Sequence, residues 1–223
     1  MMLVLTHSIK LIGEKNMYQR SYSKGSTFAK VLAILAFLCL IVNLSTYFAE
    51  MRHDPSTGFL TFAEFKFPQG TDLSYVLFSI VPYLLFLIFA LFFTENSSTG
   101  FVLPISFFFV AAKVGFNVWR NCTYEIIAGF VNLIPSIISI VFWLAFGIIL
   151  LINFDKKRTL VVFSMINMLV SVFSFAMFLL NIDNMNLQLT GPLLTAVSGA
   201  GYLSSALFGT AIFVLVLDDR LSY

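Results

Sequence analysis

The chain has 223 residues, 59% of them hydrophobic and 11% charged, with a formal net charge of +2 and a mean hydropathy of +0.94. That apolar excess lies outside the range of ordinary soluble domains and points to a bilayer as the main solvent. No basic stripe of the kind that follows a phosphate backbone is present, which excludes nucleic acid as a partner.

Residues 1–30 form a basic segment carrying Lys10, Lys15, Arg20, Lys24 and Lys30, and Met17 is a second possible start. The first apolar run, 31–48, follows directly. It reads as a signal anchor rather than a cleaved signal peptide, because no small-x-small cleavage site follows in residues 43–50. Five further runs are predicted at 73–93, 101–119, 126–152, 159–180 and 193–217. Each reaches or approaches the roughly 20 residues needed to cross a bilayer core of about 30 Å. Together they hold a single Lys, Arg, Asp or Glu, which is Lys113. Ionised groups cost about 2.5–3.5 kcal/mol each at a bilayer centre on insertion scales, so such a partition is what hydrocarbon imposes. Backbone groups without water must bond within their own segment, so the runs are helices. The expected fold is all-α: a polytopic helical bundle, 31–217, with an outer loop 49–72 and a short tail 218–223.

Basic residues set the expected orientation. They crowd the segment before the first helix and the tight turn holding Lys156, Lys157 and Arg158. Both should be cytoplasmic, and six transmembrane helices then return both termini to that side; the expected location is the plasma membrane. Sliding the chain by 60 positions matches ten of the 32 residues in 79–110 with those in 139–170. A repeat of two helical hairpins is one reading of this match; chance likeness between apolar runs is the other.

The outer loop combines turn chemistry at Asp54-Pro55 and Ser56-Thr57-Gly58 with Phe59, Phe62, Phe65 and Phe67. These phenylalanines are expected at the membrane interface or capping the bundle. His53 beside Asp54 is expected to be an ordinary solvated histidine. Cys39 falls within an apolar run and Cys122 in a short loop, with neither a ligand pattern nor a disulfide framework.

Polar and small residues recur at helical spacing in four runs: Ser106, Lys113, Asn117 and Arg120; Gly129, Asn132, Ser136 and Ser139; Ser164, Asn167, Ser171 and Ser174; Thr195, Ser198, Tyr202, Ser205 and Gly209. These faces should point inward. Gly201, Ser205 and Gly209 also repeat every fourth residue, a helix-packing stripe that lets another backbone come close. The seams are expected to be packing contacts; the sharper reading makes Lys113, Asn117, Asn132 and Asn167 a polar cavity for a solute. Lys113 is expected to snorkel toward Arg120 and the outer headgroups, with a ligand-binding cation as the alternative and Glu125 as a candidate partner in either case.

No catalytic, nucleotide-binding or metal motif is present, and neither His7 nor His53 lies in a run. The expectation is therefore a non-enzymatic multi-pass protein without catalytic residues, cofactor or metal. Its partners are the lipid bilayer and other membrane protein subunits, as a scaffold or partner subunit. The competing expectation is a small-solute transporter or the substrate-binding membrane subunit of an importer, its small-molecule ligand unknown.

Overall fold

A computed structural model describes residues 27–54, 56, 60–92, 102–124, 126–152, 157–180 and 187–217. They form six helices and a two-stranded antiparallel hairpin. Helix α1 runs Thr27–Phe48, the hairpin is β1 (Ala49–His53) and β2 (Leu60–Phe65), and α2 is Thr71–Phe92. The remaining helices are α3 (Val102–Tyr124), α4 (Ile126–Ile152), α5 (Lys157–Leu180) and α6 (Leu187–Leu217). Four stretches, Thr27–Phe48, Thr71–Leu91, Thr159–Leu180 and Leu193–Leu217, are long and apolar enough to cross a membrane.

The helices follow the predicted runs, and the departures have physical causes. Residues 120–124, expected as a loop holding Cys122, continue α3: nothing there breaks a helix, and a polar last turn can project beyond hydrocarbon. Helix α6 begins six residues early and includes Gly191-Pro192, which reads as a boundary in sequence. Pro192 is the sixth residue of α6, so the helix runs through it without the bond that an N–H there would give to the Gln188 carbonyl, one bond in a helix of 31 residues.

Residues 49–72, expected as a loop, fold for the most part as a hairpin. Helix α1 tightens into a 3-10 turn at Ser45–Phe48, where the Ser45 and Thr46 hydroxyls donate to the carbonyls of Val42 (2.7 Å) and Asn43 (3.2 Å). Ala49 then turns extended and β1 starts at once. Register pairs Glu50 with Glu64 and Met51 with Phe62, leaving Ala63 as the bulged residue. Arg52 bridges the facing carboxylates, 3.0 Å from Glu50 and 3.9 Å from Glu64. At the hairpin's base the Lys66 N–H donates to the Phe48 carbonyl at 2.9 Å, and the Phe48 ring meets Phe65 and Phe67 with centroids 6.2 and 6.0 Å apart. Phe62, Phe65 and Phe67 are 58, 71 and 62% exposed, so none of them is absorbed into the bundle. Phe59 lies outside the described residues. Gly70, at φ 57° in the left-handed region, makes the turn into α2. Its carbonyl accepts from the Ser74 N–H, and Asp72 sits in the favourable first turn.

Helix α3 packs against both α2 and α4, and α5 packs against α6. The α3–α4 seam is aromatic, with Phe107 against Trp143 (5.3 Å) and Phe146 (4.6 Å). Phe208 of α6 carries Tyr83 and Phe86 of α2 at 4.4 and 4.9 Å. Helix α1 is tied to α6 by Ser204 Oγ donating to the Ala36 carbonyl (2.7 Å) and Asn43 Nδ2 donating to that of Val197 (3.0 Å). Helices α4 and α5 meet where Phe142 and Phe146 approach Phe163, near their connecting turn. The two hairpins that a repeat would equate are therefore packed differently, α2–α3 closely and α4–α5 at one end.

Small residues on α6 set two of these distances. A β-carbon on Gly201 would fall 2.6 Å from Asn43 Nδ2 of α1, and one on Gly209 would fall 3.0 Å from Asn167 Nδ2 and 3.3 Å from the Met168 Cα of α5. The stripe Gly201, Ser205, Gly209 thus serves two partners, one at each end. Gly201→Leu and Gly209→Leu should each destabilise the detergent-purified protein by about 1–3 kcal/mol through overpacking, whereas Leu193→Phe, at an exposed position, should leave its melting temperature close to wild type. Equal effects of all three substitutions would remove the stripe's packing role.

The hairpin carries a pH dependence. The Arg52 guanidinium, by hydrogen bond and by charge, holds the Glu50 carboxyl below its usual value. A carboxyl lowered on folding stabilises above its unfolded value and loses that contribution as pH falls. Exchange protection of the Lys66 amide should accordingly decline as pH drops below about 4.5, the ordinary carboxylate range, and Arg52→Gln should flatten that decline.

Candidate functional site

The face of α3 that carries Lys113, Asn117 and Arg120 turns its two cations toward one ring. Lys113 Nζ lies 5.8 Å and Arg120 Cζ 4.8 Å from the centroid of Tyr75, in the second turn of α2. Tyr75 in turn sits 5.0 Å from Tyr47 at the end of α1, and the Arg120 guanidinium donates to the Tyr47 hydroxyl oxygen. Cation–π contacts of this kind contribute about 0.5–1 kcal/mol when exposed and about 2 or more when desolvated. The Lys113 ammonium is thereby held among helices, over an aromatic face, rather than extended past Arg120. Among the described residues no carboxylate lies within ion-pair distance of it. Glu125 is outside the described residues.

Lys113 lines an open pocket of about 290 Å³ between α1, α2, α3 and α6. That is room for roughly ten waters at about 30 Å³ each. Helix α1 contributes Leu40 and Asn43, and α2 contributes Tyr75 and Tyr83. Helix α6 contributes Ser198, Gly201, Tyr202 and Ser205, of which Gly201 clears the path by which Asn43 reaches Val197. With one donor spent on Val197, the Asn43 carboxamide keeps a second N–H and its carbonyl for the pocket. Tyr83 is buried and stacked on Phe208; its hydroxyl lies beside Ser204 and Ser205, whose own protons go to the Ala36 and Gly201 carbonyls, so it donates to one of the two serine oxygens. Tyr202 is stacked on Phe178 of α5, with centroids 4.9 Å apart.

The residues proposed from sequence as one cavity are not all gathered here. Lys113 lines the pocket; Asn117, one turn along α3, and Asn167 do not. Asn167 is buried in the α5–α6 seam against Gly209, where its Nδ2 has no hydrogen-bond partner, and the buried Asn117 Oδ1 has none either. The Asn132 and His53 side chains lie outside the described residues. Asn43, Tyr75 and Tyr83 lie in the first two runs, outside the four polar stripes evident in the later ones. Tyr75, Ser79 and Tyr83 stand at i, i+4 and i+8, one polar face of α2, and that spacing was available as a signal. Among the described residues no three His, Cys, Asp or Glu side chains come together as metal ligands. The arrangement offers one positive charge, neutral donors and aromatic walls around an open space.

Tyr83 separates wall from scaffold. Tyr83→Phe should cost about 1 kcal/mol by losing its hydroxyl bonds, and Tyr83→Ala about 3–5 kcal/mol by leaving Phe208 unsupported, both read as shifts in thermal unfolding. Comparison of the chain with protein-family models, curated proteins and solved structures finds no match.

Proposed function

We propose that the chain is a non-enzymatic membrane protein of six transmembrane helices, with both termini cytoplasmic, that binds a small solute in the outer half of its bundle. It acts as a transporter or as the substrate-binding membrane subunit of an importer, in the plasma membrane. The observation that carries this reading is the pocket around Lys113, a concave site with a few convergent polar groups where four helices meet. Ionisable residues at membrane depth that line a cavity mark solute pathways in helical membrane proteins.

Charge bias supports the orientation. With the basic segment before α1 and the Lys156, Lys157, Arg158 turn inside, the end of α1 and the starts of α2 and α6 face outward. Asn43, Tyr75 and Ser198 belong to those ends, so the pocket opens to the outer side. The α3 and α4 helices, of 23 and 27 residues, are long enough to complete the six spans.

A scaffold or partner-subunit role has its own supporting observation. Away from Phe163, α4 exposes Ile134, Ile138 and Val141 and α5 exposes Leu169, Val170 and Phe173, two apolar faces that another subunit's helix or lipid would cover.

The solute-binding reading is tested by single cysteines placed in a Cys39→Ala, Cys122→Ala background. Ser198→Cys and Ser205→Cys should react with a membrane-impermeant maleimide applied outside intact cells, while Ser164→Cys, buried against its own helix, should not. Failure of both pocket cysteines to react would remove the outward-opening site.

A further inference from the structure

The lining of the pocket specifies the charge of its occupant. Among the described residues Lys113 is its one ionised group; Asn43, Tyr75, Tyr83, Ser198, Tyr202 and Ser205 are neutral, and no described carboxylate lines it. Resting on the reading of this pocket as a ligand site, we infer that it takes a small organic monoanion, a monocarboxylate with a compact apolar body.

Charge balance excludes the other classes. A neutral solute that displaced water would leave the ammonium desolvated with only the Tyr75 ring for company. A cation would find aromatic faces, but Lys113 and Arg120 already crowd Tyr75 and would repel it. A dianion such as phosphate would bring a second charge that no lining group neutralises, because Arg120 lies outside the lining and is engaged by Tyr47. One carboxylate matches one ammonium, and the ammonium can leave a loose 5.8 Å contact with Tyr75 to meet it.

Size and wall chemistry define the rest of the molecule. A volume of about 290 Å³ admits a carboxylate joined to a single ring or a short chain. Its apolar part has Leu40, the Tyr202 ring and the glycine surface of Gly201 to lie against, on the side of the pocket away from α3. The Ser198 hydroxyl can donate or accept, and that of Ser205 can turn from its 3.3 Å bond to the Gly201 carbonyl, so both can orient the carboxylate without fixing its charge. The cations of α3 at the outward end also raise the local anion concentration, an effect that weakens with salt.

The test uses the full chain in phosphatidylcholine nanodiscs, titrated with benzoate, phenylacetate and octanoate and followed by calorimetry and thermal shift. Comparison ligands are benzamide as the neutral isostere, inorganic phosphate, and nanodiscs containing phosphatidylglycerol. At least one monocarboxylate should bind, about tenfold or more tightly than benzamide. Lys113→Gln should weaken it at least about tenfold and Lys113→Arg should restore most of the loss. Ser205→Phe, which fills the pocket with the ammonium intact, should abolish binding, so the proposal stays testable if Lys113→Gln does not fold. Benzamide binding as well as the acids would overturn the inference while leaving a solute pocket in place. Preference for phosphate, or loss of carboxylate binding only in phosphatidylglycerol nanodiscs, would overturn it in favour of a free or lipid phosphate. No binding by any monocarboxylate overturns it as well; if the Ser198 and Ser205 cysteines are also unreactive, the solute-binding reading falls with it.

Discussion

The close approach of α6 to its neighbours is the constraint on which the rest of this structure depends. In a bilayer the lipid tails are as apolar as the side chains, so helices associate through packing and hydrogen bonds rather than by escape from water. Helix α6 supplies both. Gly201 admits Asn43 of α1, Gly209 admits the backbone of α5, and between them Ser204 reaches the Ala36 carbonyl. Phe208, on the same two turns, carries the aromatic contact with α2. A helix of large side chains throughout would hold its neighbours apart. A helix of small ones throughout would leave α2 without its stacking partner. The alternation of glycine, serine and phenylalanine over 201–209 resolves both demands.

The same small residues create the pocket. Gly201 and Ser205 line the same space as Tyr75 and Tyr83 of α2 and Lys113 of α3, and their small side chains leave it open. The ammonium's position depends in turn on Tyr75. That ring is set by two features of the segment between α1 and α2: the Gly70 turn, which starts α2, and the hairpin base, where Lys66 bonds Phe48 and holds the end of α1 beside the start of α2. Tyr47 and Tyr75 meet as a result, and Arg120 lies over the Tyr75 ring. Hairpin, tyrosine pair and cations form one connected assembly at this end of the bundle.

Helix positions were legible in sequence because hydrocarbon tolerates so few alternatives: an apolar run of the right length has to be helical, and charge marks its limits. The ends of α3 and α6 were not, since both extend into polar residues where helix and loop differ by little free energy. The hairpin was hidden for a different reason. Its residues, Glu50, Arg52, Thr61, Phe62 and Glu64, are exposed or half-exposed, so no buried face imposed an alternation that a reader could find. Within the site, Lys113 was conspicuous as the only charge in a run, and Gly201 and Ser205 by their spacing. What sequence could not show is which stripes face one another. Asn167 and Lys113 look equivalent as polar residues at membrane depth, yet one is enclosed by Gly209 at the α5–α6 seam and the other opens on a pocket across the bundle.

Those two environments also distinguish the seams by what can move. On the pocket side, α1 is joined to α6 by two side-chain hydrogen bonds and α2 to α6 by a stacked aromatic cluster, contacts that require a defined geometry. On the far side α4 and α5 touch through three rings near one end, and ring contacts tolerate sliding better than hydrogen bonds do. Helices α1 and α2 are therefore joined to α6 by contacts that fix orientation as well as distance, whereas the α4–α5 ring contacts fix little more than proximity.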